Sequence, residues 1–286
     1  MRQREDVSES WRARLAEFGL DGLGQLLDQA PESGRLVGRW LALSKPGLGH
    51  RQRWRWQLPD GEASAVIYVK RYARTPLREQ WDRIRRQTLH RSRAWWEYRQ
   101  AQRLAAAQIS VPSAIGFVER MQGAWEQASA VLLAAVPGDG LDRVWTRLER
   151  QNAPLMRGIA RHDLTVRLAR FVAAFHQTGF CHRDLYLCHV FADLDPDGVR
   201  PPRFSLIDLA RTYRPRWRRT RWLIKDLAQL DASARPVGAT RTDRWRFLLA
   251  YLGLEPRAAR ARWYARRIVR KSDRILRREA RRSRPQ

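Results

Sequence analysis

Two aspartates stand in short segments that interrupt helical and strand-like sequence. Asp184 closes the tripeptide His182-Arg183-Asp184, and Asp208 lies 24 residues later in Ile207-Asp208-Leu209. A carboxylate in such a place can accept a proton or bind a hard cation, since Mg²⁺ prefers oxygen ligands. Upstream, Lys70 and Glu97 add a cation and a further carboxylate. Of the 56 basic residues only Lys45, Lys70, Lys225 and Lys271 are lysine. Arginine is a rigid fork and lysine a compact point charge, and some chemistry accepts only the latter. A compact cation with two such carboxylates can position charge and move a proton.

The elements that must hold these residues follow from pattern. Residues 1–30 read as one or two short helices. Residues 36–43, 51–58 and 64–70 read as strands, the second by polar–apolar alternation and the third by its β-branched residues. The turns between them fall at Lys45-Pro46-Gly47-Leu48-Gly49 and Pro59-Asp60-Gly61. Residues 88–108 have helical composition, with Trp95, Tyr98, Ala101 and Leu104 on one face, and 114–120 and 129–136 read as two more strands. Pro137-Gly138-Asp139-Gly140 is the best linker in the chain. Beyond it, 141–150, 162–178, 217–231 and 241–283 read as helices, with two β-like pieces at 188–192 and 203–209. In 162–178, Leu164, Leu168, Phe171, Val172 and Phe175 form an amphipathic stripe, and Gly179 stops it. The expected domains are an N-terminal lobe over 1–136, with N-terminal helices, a five-stranded antiparallel sheet and one long helix, and a helical C-terminal lobe over 137–286.

The order of these elements and residues resembles the protein-kinase signature set: a strand lysine, a helix glutamate, a catalytic-loop HRD and a metal-binding aspartate. The resemblance implies an α+β, bilobal protein-kinase-like fold with a β-rich N-terminal lobe and a mainly helical C-terminal lobe. It implies that Lys70 neutralises the α and β phosphates of ATP and that Glu97 holds Lys70. Asp184 orients or deprotonates the attacking hydroxyl, His182 and Arg183 brace the loop, and Asp208 binds Mg²⁺. Glu79, Glu119 and Glu126 are alternative partners for Lys70. Two departures stand out. No G-x-G-x-x-G precedes the lysine strand, and Gly47-Leu48-Gly49 is short. His189 occupies the place where protein kinases carry asparagine, and imidazole is a poor Mg²⁺ ligand, so His189 is expected to contact phosphate or substrate, or to pack.

A narrower resemblance rests on longer stretches. His182-Arg183-Asp184-Leu185-Tyr186-Leu187-Cys188-His189 is similar to the HRDxYxxH segment of the lipopolysaccharide core kinases, where histidine at the asparagine position is usual. Ser205-Leu206-Ile207-Asp208-Leu209-Ala210-Arg211 resembles that family's metal-site strand. Trp222-Leu223-Ile224-Lys225-Asp226-Leu227 resembles its KDL segment, where Asp226 would cap or brace the catalytic loop. This resemblance spans roughly 40–230. It implies ATP and Mg²⁺ as cofactors and a heptose or Kdo hydroxyl of the lipopolysaccharide inner core as acceptor. It also implies a peripheral place on the cytoplasmic face of the inner membrane. A protein, a small sugar or an antibiotic remains the alternative acceptor.

The whole composition bears on partners more than on fold. The chain has 286 residues and a formal net charge of +27, with 44% hydrophobic residues and 13 tryptophans. Apolar content of this size excludes a wholly disordered basic protein. The charge attracts polyanions: a phosphorylated glycolipid, an anionic membrane, acidic proteins or nucleic acid. A nucleic-acid reading finds no zinc, helix-turn-helix or RNP-like motif to support it, so specific nucleic-acid binding is not expected. Residues 255–286 carry 13 basic and 3 acidic residues in helical sequence, a pattern suited to an anionic bilayer. Trp217 and Trp222 lie among Arg214, Arg216, Arg218, Arg219 and Arg221, a mixture suited to a phosphorylated sugar. Cys181 and Cys188 match no metal or redox spacing and are expected as reduced thiols. Residues 1–10 lack the apolar core of a signal peptide, and the apolar run 128–136 is too short to span a bilayer.

Overall fold

A computed structural model describes residues 1–28, 36–43, 51–59, 65–73 and 75–282. The turn Lys45-Pro46-Gly47-Leu48-Gly49 and residues Asp60 and Gly61 of the following turn lie outside the described residues. The chain separates into two compact units: Met1–Ala106 with Val111–Val136, and Ala107–Ser110 with Pro137–Gln286.

The first unit runs β1 (Arg2–Val7), α1 (Glu9–Glu17), α2 (Gln25–Asp28), β2 (Arg39–Ala42), β3 (Arg51–Gln57), β4 (Val66–Ala73), α3 (Leu77–Arg86), α4 (Arg93–Ala106), β5 (Ala114–Gln122) and β6 (Trp125–Ala134). Its sheet is antiparallel in the order β1-β5-β6-β4-β3-β2. Alternation along the strands sorts the side chains onto two faces. Trp54, Trp56, Ile67, Val69 and Leu132 point to one face and form a core with Leu15, Leu23, Leu26 and Leu27 of the N-terminal segment. The alternate residues of β4, Lys70 and Tyr72, point to the face covered by α4, which buries Ala94, Glu97, Tyr98, Ala101 and Leu104.

Three expectations for this unit need correction. The sheet has six strands, because Arg2–Val7 pairs with β5 and is not helical. RQREDV has no apolar period that marks a strand, and only the free edge of β5 gives it one; its charges also suit an edge. Two helices, α3 and α4, follow β4 instead of one. Lys70 sits within β4, opposite Arg53 and Val131, and not at its end.

The second unit runs β7 (Asp139–Gly140), α5 (Leu141–Arg150), α6 (Gly158–Gln177), β8 (Val190–Asp193), β9 (Arg203–Leu206), α7 (Arg219–Ala234), α8 (Arg241–Leu252) and α9 (Ala259–Arg282). The three strands form an antiparallel sheet in the order β7-β8-β9. Gly138 adopts φ +82°, and a Cβ there would lie 2.2 Å from the Ala192 carbonyl, so the linker glycine lets the chain pass tightly over β8. In α6, Leu164, Leu168, Val172 and Phe175 are buried and Phe171 half-buried, as the stripe predicts. An apolar cavity of about 430 Å³ lies among α6 to α9, lined in part by Leu168, Leu227, Leu248 and Ile268.

Here too the pattern over-extended some elements. The helix expected over 241–283 is broken into α8 and α9 at Gly253, whose φ of +61° caps α8. The strand expected from 188 starts at Val190, because Leu187–His189 forms a 3₁₀ turn. The next strand ends at Leu206, leaving Asp208 in the loop beyond it. An N-terminal unit dominated by antiparallel sheet and a mainly helical C-terminal unit are the α+β architecture expected.

Candidate active site

Four of the predicted site residues, His182, Arg183, Asp184 and His189, lie on the loop between α6 and β8. Gly179, at φ +89°, ends α6 and turns the chain into Phe180 and Cys181. Cys181 exchanges both backbone hydrogen bonds with Tyr213, so the loop is tied to the segment that follows Asp208. The buried carboxylate of Asp226 on α7 then accepts the backbone N–H of His182 at 2.6 Å and of Arg183 at 2.8 Å. Lys225, one residue earlier, donates its ammonium to the Arg183 carbonyl. Arg183 is held at φ 71°, an unusual conformation for a residue with a Cβ. Its buried guanidinium lies over the rings of Tyr213 and Trp222, 5.4 and 5.9 Å from their centroids. The Asp226 bracing expected from the sequence is therefore present in geometry, and Lys225 joins it.

His182 is fully buried and donates Nε2–H to the Ile207 carbonyl at 3.0 Å. Burial pushes its pKa down and neighbouring His189 adds to this, so the ring is neutral, which suits a structural clasp between the loop and the Asp208 segment. Asp184 follows with its carboxylate part-exposed. Both its oxygens accept from Arg211 Nη1, at 2.8 and 3.1 Å. His189 donates Nδ1–H to the Asp184 carbonyl at 2.7 Å and lies 3.8 Å from Asp208 through Nε2. Burial opposes a charge on His189, but Cys188, Asp208 and the Asp184 carbonyl outweigh it and push the pKa up to about 9. Asp208 sits at φ 57°, which aspartate tolerates better than most residues. His182, Arg183, Asp184, His189 and Asp208 are thus brought together.

The other two predicted residues lie in the first unit. Lys70 Nζ is 2.6 Å from Glu97 Oε1, and Tyr72 donates to Glu97 Oε2 at 3.2 Å. Glu97 is completely buried and Lys70 nearly so. The alternative glutamates are engaged elsewhere. Glu79 binds Arg51 and Arg93, Glu119 binds Arg91 and the Ser92 N–H, and Glu126 accepts from Ser129 and the Arg93 N–H.

The donor set can be tested against Mg²⁺. Among the described residues no group of three or more His, Cys, Asp or Glu could hold a metal. Mg²⁺ is commonly held by one or two carboxylates, with phosphate oxygens and water completing its shell. Asp208, a part-exposed carboxylate, fits that reduced set; the imidazole of His189 does not.

The model of the lipopolysaccharide kinase (Kdo/WaaP) family matches residues 50–251. The chain belongs to this family. The match reaches some 20 residues past the stretch on which the sequence motifs fall, to the end of α8. The chain is 32% identical over 156 residues to the lipopolysaccharide core heptose(I) kinase WaaP of Pseudomonas aeruginosa, covering 54% of this chain and 58% of that one. It is 36% identical over 104 residues to the enzyme of the same name from Escherichia coli K12, covering 36% and 38%. The chain thus spans well under two thirds of these relatives in alignment. A solved structure of WaaP in complex with acyl carrier protein superposes with a TM-score of 0.61 at 23% identity, covering 94% of this chain and 99% of that one. The fold is therefore the protein-kinase-like fold expected.

Within this Kdo/WaaP kinase fold, two contacts escaped the sequence reading. Arg211 was visible only as the basic residue after Ile207-Asp208-Leu209, and nothing in that spacing points to Asp184. Trp217 and Trp222, read as a pair, part company: Trp217 is 83% exposed, whereas Trp222 packs edge-on against Tyr213 at 5.3 Å.

Proposed function

We propose that this protein transfers the γ-phosphate of ATP to a sugar hydroxyl of the lipopolysaccharide inner core, on heptose or Kdo. The observation that carries the reading is the loop around Asp184, fixed by Asp226 and Lys225 with its carboxylate still part-exposed. Family membership and the WaaP relatives support the same chemistry. The domain division expected from the sequence puts Lys70 and Glu97 in the lobe over 1–136, and the catalytic loop, His189 and Asp208 in the lobe over 137–286.

In this mechanism Asp184 accepts the proton of the sugar hydroxyl as its oxygen forms the new bond to the γ-phosphorus. The bond from that phosphorus to the β–γ bridging oxygen breaks, and ADP leaves with the electron pair. Arg211 takes up only part of the lone-pair capacity of Asp184, so the acceptor hydroxyl would share the carboxylate with that contact. Lys70, held by Glu97, meets the negative charge of the α and β phosphates. His189 contributes a hydrogen-bond donor beside Asp208. Mg²⁺ bound at Asp208 would neutralise phosphate charge.

The lipid-linked acceptor implies a peripheral place on the cytoplasmic face of the inner membrane. No helix among the described residues is long and apolar enough to cross a membrane. The basic outer face of α9 suits the anionic surface. An acidic protein is a further proposed partner, supported by the +27 charge and by the complex in which a WaaP was solved. Incubating the protein with ATP, Mg²⁺ and core glycolipid should add the mass of one phosphate to heptose or Kdo. Transfer only to a protein, a small sugar or an antibiotic in a parallel acceptor screen would replace the reading.

A further inference from the structure

Helix α3 invests a dense buried network in presenting an apolar face to solvent. On its inner side Arg83 is fully buried. Its guanidinium donates to the carbonyls of Thr88 at 2.9 Å, Arg91 at 2.7 Å and Ala124, and to Gln80 Oε1 at 3.0 Å. Gln80 in turn donates to the Glu126 carbonyl at 2.7 Å, and the Glu126 carboxylate lies 3.5 Å from Arg83 Nε. One arginine thus clamps α3 to the 88–91 segment and to the β5–β6 turn. Losing a partner from such a buried charge network is costly, so α3 is held rigidly.

The opposite face carries Leu77 and Trp81, 68% and 57% exposed, one turn apart on the helix. Trp125, at the start of β6, meets Trp81 edge to face at 6.3 Å and is itself exposed, as is Leu89. Arg78, Arg85 and Arg86 are exposed on the same helix. The acidic residues close by are turned away or paired: Glu79 toward Arg51 and Arg93, Asp82 to Arg86, and Glu126 into the interior. The patch is apolar at its centre and positive at its rim.

We propose that this face is an interfacial anchor that seats the protein on an anionic lipid bilayer, with Trp81, Trp125 and Leu77 entering the headgroup region and Arg78 and Arg85 meeting lipid phosphates. Tryptophan favours this depth because its ring is apolar and its N–H polar, and arginine stems cover apolar surface while their heads stay in water. Patch size separates a bilayer from a protein as the occupant. Four part-exposed side chains offer a few hundred Å² at about 150–250 Å² per whole aromatic ring. A stable protein interface needs about 800 Å² per partner. A bilayer needs only the wedge and the positive rim. The inference deepens the membrane-facing part of the proposed function, and its test reads lipid binding and not phosphate transfer, so the two can fail separately.

The test is flotation of the full chain with vesicles of phosphatidylglycerol and phosphatidylethanolamine, at low salt and at about 1 M salt, where the Debye length falls to about 3 Å. A protein of this charge binds such vesicles at low salt through any basic surface. An inserted apolar wedge keeps it bound at high salt. Trp81→Ser/Trp125→Ser is expected to weaken high-salt binding by about tenfold or more. Arg78→Glu/Arg85→Glu should weaken low-salt binding, and Arg266→Glu/Arg270→Glu on α9 should leave high-salt binding intact. Both tryptophans are exposed, so an unchanged unfolding midpoint would accompany the loss. Equal high-salt binding by the tryptophan variant and the parent, or none by the parent, overturns the proposal. So does a parent that self-associates through this face, seen as a sedimentation mass that drops to monomer in the tryptophan variant.

Discussion

Lys70 and Glu97 meet between a sheet and a helix, whereas Asp184 stands on a loop whose backbone is tied down by a buried carboxylate. In the first unit, a regular strand, β4, and a regular helix, α4, packed on it bring cation and carboxylate to 2.6 Å. No residue of that pair needs unusual backbone. In the second unit, Arg183 and Asp208 both take left-handed conformations, which cost energy and persist only where surroundings impose them. Asp226, Lys225, His182 and Tyr213 are those surroundings. Regular structure can deliver a buried ion pair; a carboxylate that must face a reacting group needs a shaped loop and a dedicated brace.

The largest effect that would break this comparison comes from Asp226→Ala. It strands two buried backbone N–H groups that now donate to a charge, so a loss of about 3 kcal/mol or more is expected, with phosphate transfer abolished. Urea unfolding and a transfer assay would show it. A variant that unfolds like the parent and stays active would mean the loop needs no brace. Asp184→Ala should abolish transfer while leaving the urea midpoint within about 0.5 kcal/mol, the range of surface substitutions. A strongly destabilised Asp184→Ala would make the carboxylate part of the scaffold.

Next comes Glu97→Gln, which leaves the Lys70 ammonium without its buried counter-charge. Removing one member of a fully buried pair costs roughly 3–5 kcal/mol, and less is expected here because Lys70 keeps some access to water. KM for ATP should rise more than kcat falls; a pure kcat effect would contradict a nucleotide-binding role for the pair.

Two smaller effects sharpen the contrast through pH. Burial pushes the Lys225 pKa down to about 8 from 10.5, against the pull of Asp184 and Asp226. Between pH 8 and 10.5 the unfolded chain then holds a proton that the folded chain has lost, so this group's contribution to stability rises with pH across that window. Lys225→Met should remove that rise from denaturation curves taken at pH 8 and pH 10; an unaltered slope would mean Lys225 stays charged throughout. Glu79, also held below its ordinary pKa, gives a slope of the same sign in the acid range. Burial raises its pKa, but hydrogen bonds and charge from Arg51 and Arg93 outweigh this and bring it to about 2 from 4.5. Its contribution is present above pH 4.5 and is lost as pH falls toward 2. Glu79→Gln should flatten the acid limb between those values, and an identical limb would show the pair contributes nothing measurable.

Legibility in the sequence followed the range of the interactions. Helix 141–150 was predictable to the residue, because Leu141, Val144, Trp145 and Leu148 mark its buried face by spacing alone. The His182-Arg183-Asp184 loop was legible from a glycine stop, a preceding stripe and a motif. By contrast β1 has no internal signal, since its partner β5 lies more than a hundred residues away. The same holds for Arg211 and Asp184, 27 residues apart and joined only when the Cys181–Tyr213 bridge aligns their segments.

By itself, then, the sequence determined most of the elements and the family, and it named candidate residues for phosphate and metal. Periodicity, turn chemistry and motif are local, and side-chain type limits chemistry before any folding. Tertiary structure alone decided which glutamate meets Lys70, that Arg211 occupies the Asp184 carboxylate, and that α3 and the start of β6 turn Trp81 and Trp125 outward. Each of these depends on the pairing of distant segments, which hydrogen-bond register and packing settle only in the folded chain.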